Sequence, residues 1–195
     1  MSYKNSTAKE TGKSTESTVD KFFIENGYNC VKPSGKDIGI DRIVTSDKYP
    51  GVEVKIQIKG RRVEETPRWF QFKVNSSKIR DAIASGKDLN ELWKERIYMN
   101  DFWVLVSIPK NEIWVFPSVV IHEIADINYH KYKGRRDNNF NEVFTDKNGK
   151  IESKQKELNL NNMDEDGVVL YERFAAYKHN LSCIEDFFRE QSTSK

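Results

Sequence analysis

The chain has 195 residues, of which 37% are hydrophobic, 12% aromatic and 32% charged. That aromatic content excludes a disordered chain, and the length suits one domain built round one main core. With 32 basic and 30 acidic side chains the formal charge is only +2, so net charge excludes no partner and identifies none.

No apolar run reaches the roughly 20 residues that cross a bilayer, and the N-terminus has no apolar signal core, which predicts a soluble, cytoplasmic protein. Cys30 and Cys183 are too few for a disulfide framework and read as small packed residues.

Residues 1–12, rich in Ser, Thr, Lys and Asn, show no periodicity and predict a flexible arm. From Ser14 or Thr15 to Asn26 the apolar Val19, Phe22 and Phe23 follow helical spacing, and Asn26-Gly27 supplies a stop. A short extended piece at Tyr28 to Val31 and the loop from Pro33 to Lys36 lead to a strand from Ile38 to Val44, then a turn over Asp47 to Gly51. Val52 to Lys59 alternates without a break: Val52, Val54, Ile56 and Ile58 take one face, and Glu53, Lys55, Gln57 and Lys59 the other. Its short connection predicts an antiparallel hairpin with the preceding strand.

Trp69 to Val74 reads as another strand, followed by a helix from Ser76 or Ser77 toward Gly86. Asp101 to Ile108 and Glu112 to Pro117 predict a hairpin whose apolar density suggests a central place in the sheet. A short helix at Val119 to Ile127, a polar excursion from Asn128 to Asn161 and a final helix from Leu181 to Gln191 complete the chain. The resulting division is an arm at 1–12, a core at 13–127, a loop-rich insertion at 128–161, and a C-terminal helical part of the same domain at 162–195. The order of elements predicts an α/β fold with a central mixed β-sheet flanked by helices.

One group of polar residues converges. Asp41 lies on the strand after a glycine-containing segment, and Gln57 and Lys59 lie on the polar face of its hairpin partner. A turn centred near Tyr49 sets Asp41 opposite Gln57 on one face. A carboxylate and a strand carbonyl can hold a hard cation such as Mg2+, and an ammonium two residues along the same face can orient an attacking water. The main-chain oxygen of Ile58, between the two, is a natural further ligand. The chemistry such a set serves is phosphodiester hydrolysis.

These residues, with Glu16 on the first helix, Gly27-Tyr28, Gly39-Ile40-Asp41 and the run from Val54 to Gly60, resemble the PD-(D/E)xK nuclease superfamily. The resemblance spans roughly the first 120 residues in the order of elements. It implies a restriction-endonuclease-like core with Asp41 as metal ligand, Gln57 in the second ligand position, Lys59 as the catalytic lysine and Glu16 assisting the metal. Gln57 stands where the commoner residue is Glu, and a neutral amide binds Mg2+ more weakly than a carboxylate. Glu53-Val54-Lys55 matches the acid-x-Lys spacing on the same face, so alternation alone leaves that pair as an alternative.

Two basic clusters suit contact with phosphates: Arg61 and Arg62 directly after the lysine, and Lys131, Lys133, Arg135 and Arg136 among aromatics in the excursion. His122, His130 and His179 have no ligand spacing, and Trp69, Trp103 and Trp114 read as core. The reading is a Mg2+-dependent endodeoxyribonuclease acting on double-stranded DNA, with Mn2+ as a substitute, in a restriction-like or invader-defence role. A homodimer would let two sites cut both strands. The alternatives are a structure-selective repair or junction nuclease and a non-catalytic DNA-binding module of the same fold.

Overall fold

The computed structural model describes residues 3–34, 39–74, 76–131 and 155–193. Helix α1 (Tyr3–Glu25) turns Val19 and Phe23 wholly into the core. It ends where Asn26-Gly27 requires: Gly27 has φ 82°, its N–H donates to Ile24 O, and the Tyr28 N–H donates to Phe23 O, which is a Schellman closure. The helix starts well ahead of the expected Ser14 cap and takes in residues read as an arm. A helix anchored by a buried turn extends at little cost per residue through polar but helix-compatible sequence, which leaves no apolar signal.

Strands β1 (Asn29–Val31), β2 (Arg42–Thr45), β3 (Glu53–Arg61), β5 (Phe102–Ser107) and β6 (Glu112–Pro117) form one sheet in that spatial order. Only β3 and β5 are parallel; the other neighbours are antiparallel, so the sheet is mixed as expected. The parallel step follows from the crossover between them, β4 (Trp69–Lys73), α2 (Ser76–Ser85) and α3 (Leu89–Tyr98). Helix α3 has only a weak signal in the sequence. Asp88 and Glu91 stand at capping-box spacing ahead of Leu92, Trp93 and Ile97, but charged residues between the apolar ones mask the period.

The remaining elements are α4 (Ser118–Lys131), β7 (Gln155–Asn159), α5 (Leu170–Arg173), a 3-10 turn at Ala175–Tyr177 and α6 (Ser182–Thr193). Strand β4 leaves the main sheet and pairs antiparallel with β7, so the end of the polar excursion is a structural strand that buries Leu158. Strand β6, expected at the centre, is an edge strand. It is buried because His179 N–H donates to Ile113 O and Lys178 bridges Trp114, so the chain after α5 covers the edge.

Each sheet face is covered. Val44, Val54, Ile56, Ile58, Phe102 and Val104 pack under α1 and α6 through Val19, Phe23, Ile184 and Phe188. Trp103, Leu105, Trp114 and Phe116 pack on the other face under α3, α4 and the β4–β7 pair. At about 25 cal/mol per Å2 of apolar surface, these two layers supply the main drive to fold. Among the described residues no helix is long and apolar enough to cross a membrane.

Candidate active site

The β2–β3 hairpin brings the predicted residues together. Its register pairs Arg42 with Ile56, which sets Asp41, one residue earlier, opposite Gln57. The pairing extends through Asp41, whose N–H donates to Ile56 O at 2.8 Å. The Asp41 carboxylate then reaches across: Oδ2 accepts the Ile58 N–H at 2.7 Å and an N–H of the Gln57 amide. The same Gln57 Nε2 donates to the Ile58 carbonyl oxygen at 3.3 Å.

Gln57 is 2% exposed, so it does not lie on a solvated strand face. The polar side of β3 is fully exposed only at its start. Glu53 and Lys55 are exposed opposite Thr45 and Ile43, away from Asp41, and the main chain of Lys55 is occupied with Asp101. Further along, α3 descends over the same side and covers Gln57. Alternation could not choose between the two pairs, because it assigns a face and not how far the covering layer extends along it.

Arg96 on α3 completes the cluster and went unnoticed in the sequence. Its Nη2 donates to Gln57 Oε1, and its Nη1 donates to Gly39 O at 3.1 Å. Asn100 donates to the same oxygen at 3.0 Å. Gly39 has φ 121°, a conformation that favours glycine, and a Cβ there would lie 2.6 Å from Arg96 Nη1 and so displace the guanidinium. Arg96 forms no ion pair among the described residues, and burial pushes its pKa down, with nearby Asp41 opposing the shift.

Lys59 faces the same side as Gln57, two residues further along β3. Burial holds its ammonium below the ordinary pKa; the Asp41 charge opposes this and the Arg96 charge adds to it. One carboxylate and two half-buried cations therefore lie close round a buried amide.

Glu16 lies elsewhere. With Asp20, one turn along α1, it grips Arg42: Arg42 Nη2 donates to Glu16 at 2.9 Å and Nε to Asp20 at 2.7 Å. The two acids, Asp20 foremost, raise the Arg42 pKa against the cost of its burial. Arg42 Nη1 donates to the main-chain oxygen of Asp41 at 2.7 Å, so Glu16 connects to the site through Arg42 and not by its own carboxylate. Helix α1 also presses close at the end of β3, where a Cβ on Gly60 would overlap the Thr15 side chain.

Arg61 is tied down locally: Nε donates to Thr66 O at 3.1 Å and the guanidinium lies 5.6 Å from the Trp69 ring centre. Arg62 is exposed at the strand end. Lys131 closes α4, while Lys133, Arg135 and Arg136 lie outside the described residues. His122 hydrogen-bonds Tyr98 at 3.2 Å and lies 3.4 Å from Asp126, and neither contact involves Asp41.

The donor set suits a hard cation. Among the described residues no three His, Cys, Asp or Glu side chains converge on one point, so a cation at Asp41 would rely on one carboxylate with neutral oxygens. Asp41 and the Ile58 carbonyl already share one electropositive group, the Gln57 Nε2. Oxygens arranged round a donor can take a cation in its place, and Mg2+ commonly keeps several waters beside one or two carboxylates.

By sequence, no family model and no curated protein matches this chain. By structure, it is similar to the bacterial homing endonuclease I-Ssp6803I, with a TM-score of 0.52 at 15% identity, over 96% of this chain and 97% of that one. The likeness is one of fold and extends over nearly the whole of both chains.

Proposed function

We propose that the protein is a Mg2+-dependent endodeoxyribonuclease of the PD-(D/E)xK type, with Gln57 in the second ligand position, acting on double-stranded DNA. The observation that carries this reading is the convergence of Asp41, Gln57, the Ile58 carbonyl and Lys59 at the open end of one hairpin. The whole-length likeness in fold to a homing endonuclease supports an endonuclease in general, and a restriction-like or invader-defence role is our extension of it.

Asp41, Gln57 Oε1 and the Ile58 carbonyl would hold Mg2+ or Mn2+, which when bound stabilises charge developing on the phosphate. Lys59 orients the attacking water and, in the neutral amine form that its lowered pKa makes more accessible, takes up the proton that the water loses. The water oxygen bonds to phosphorus, the opposite P–O bond breaks, and the leaving oxygen is protonated from solvent. Arg42, fixed by Glu16 and Asp20, holds the Asp41 main chain, so Glu16 serves as a positioning residue. Arg62 and the basic residues near 131–136 contact DNA phosphates, and a homodimer would present two sites to the two strands.

Plasmid and phage DNA incubated with Mg2+, with EDTA, and with Asp41→Asn tests the reading on a gel. Discrete bands that vanish in EDTA and in the variant are expected. Intact DNA in every lane, with branched substrates and Mn2+ included, would leave a binding module.

A further inference from the structure

Gln57 is held at both ends of its amide. Arg96 can only donate, so the atom facing it is Oε1; the Asp41 carboxylate can only accept, so the atom facing it is Nε2. In this state the amide nitrogen fills the position between Asp41 Oδ2 and the Ile58 carbonyl, and the only side-chain oxygen of Gln57 is turned away toward α3. A cation shared by Asp41 and Ile58 needs Oε1 where Nε2 now stands. The amide would have to turn over, which would set its N–H2 against the Arg96 guanidinium, donor against donor.

Arg96 is also a half-buried guanidinium whose hydrogen-bond partners are neutral oxygens, Gln57 Oε1 and Gly39 O, and it forms no ion pair among the described residues. A phosphate is a stronger partner for a guanidinium than either, since it adds an opposite charge and can accept two parallel N–H bonds from the planar fork.

We propose that Arg96 and the divalent cation compete for Gln57 Oε1, and that a DNA phosphate resolves the competition by drawing Arg96 onto itself. Metal and DNA therefore bind cooperatively, and the free protein holds its cation weakly. This rests on the nuclease reading and adds to it a positioning residue and a coupling between cofactor and substrate. By linkage, whatever factor DNA adds to metal affinity, metal adds to DNA affinity. A Glu at position 57 would face Arg96 with either oxygen and keep one for the metal; an amide has only one oxygen, which makes the coupling specific to Gln57.

Mn2+ binding, read from the electron spin resonance of the free ion, tests this in a Lys59→Ala background that leaves DNA uncut. Sheared phage DNA should tighten Mn2+ binding by about tenfold, the usual scale for groups that orient a metal ligand. Arg96→Met should tighten it by a similar factor without DNA, and DNA should then add little. Arg96→Lys decides the cause: it keeps the charge and loses the forked reach to Gln57 and Gly39, so it should still bind Mn2+ more tightly than the parent. Parent-like affinity in Arg96→Lys would reduce the effect to charge repulsion and overturn the competition, as would an equal DNA effect in all three proteins. No Mn2+ binding by any of them, with DNA or without, would remove the nuclease reading itself. Circular dichroism confirms that each variant is folded.

Discussion

Gly60 at the end of β3 and Thr15 on α1 approach so closely that no side chain fits between them: a Cβ on Gly60 would overlap the Thr15 hydroxyl and methyl. Thr15 is 1% exposed, so it has nowhere to move without shifting the helix. The contact lies one residue beyond Lys59 and one helical position before Glu16, and it fixes how α1 sits on the strand that carries the site.

Gly60→Ala should therefore destabilise the protein by about 1–3 kcal/mol, the usual cost of overpacking. Urea unfolding measures it. Thr15→Ala in the same chain removes the two nearest atoms and should recover part of the loss, a positive coupling in the double-mutant cycle. Additive effects would mean that the helix and strand are not held by this contact.

The two acid-or-amide-x-Lys pairs on β3 make opposite predictions. Glu53→Gln and Lys55→Met change exposed side chains and should leave cleavage within about twofold, while Gln57→Leu and Lys59→Met should each lower it by about a hundredfold or more. Initial rates on one plasmid substrate compare all four. Loss of activity in the first pair would move the site to the turn end of the hairpin.

Arg42 is 6% exposed and is balanced by two acids on α1. Arg42→Met leaves Glu16 and Asp20 without their cation. Both carboxylates are about one-third exposed and regain some hydration, so the loss should be about 2–3 kcal/mol, below that of a fully buried pair. Thermal unfolding reads the stability. A drop in cleavage in protein that is still folded would report on the Arg42 bond to the Asp41 main chain.

Glu185 on α6 accepts bonds from Tyr49 at 2.8 Å and Tyr28 at 3.1 Å and pairs with Lys48. Lys48 foremost, with the two tyrosines, lowers its carboxyl from 4.5 to about 2. A carboxylate depressed on folding stabilises the native state above its unfolded pKa, and that contribution fades as pH falls toward the folded value. Stability should therefore decline between pH 4.5 and about 2 more steeply in the parent than in Glu185→Gln. Melting temperatures over that range, compared between the two proteins, check the sign. Parallel curves would mean that Glu185 is not depressed.

What the chain's order alone determined is local. The unbroken alternation of Val52 to Lys59 and the length of the turn before it specify a hairpin register, and register is enough to put Asp41 opposite Gln57. The stop at Asn26-Gly27, the buried Val19 and Phe23, and the apolar β5–β6 hairpin follow equally from short-range rules. The tertiary structure alone decided which half of β3 is covered, because cover by α3, not alternation, separates buried Gln57 from exposed Glu53. It decided that Glu16 meets Arg42, since only the docking of α1 on β2 sets them side by side. It also supplied Arg96, which lies far along the chain and reaches Gln57 only because the parallel step from β3 to β5 folds α3 back over the sheet. Periodicity records which face of an element is covered; it holds no information about which element does the covering, and the charges that meet in this site arrive from three of them.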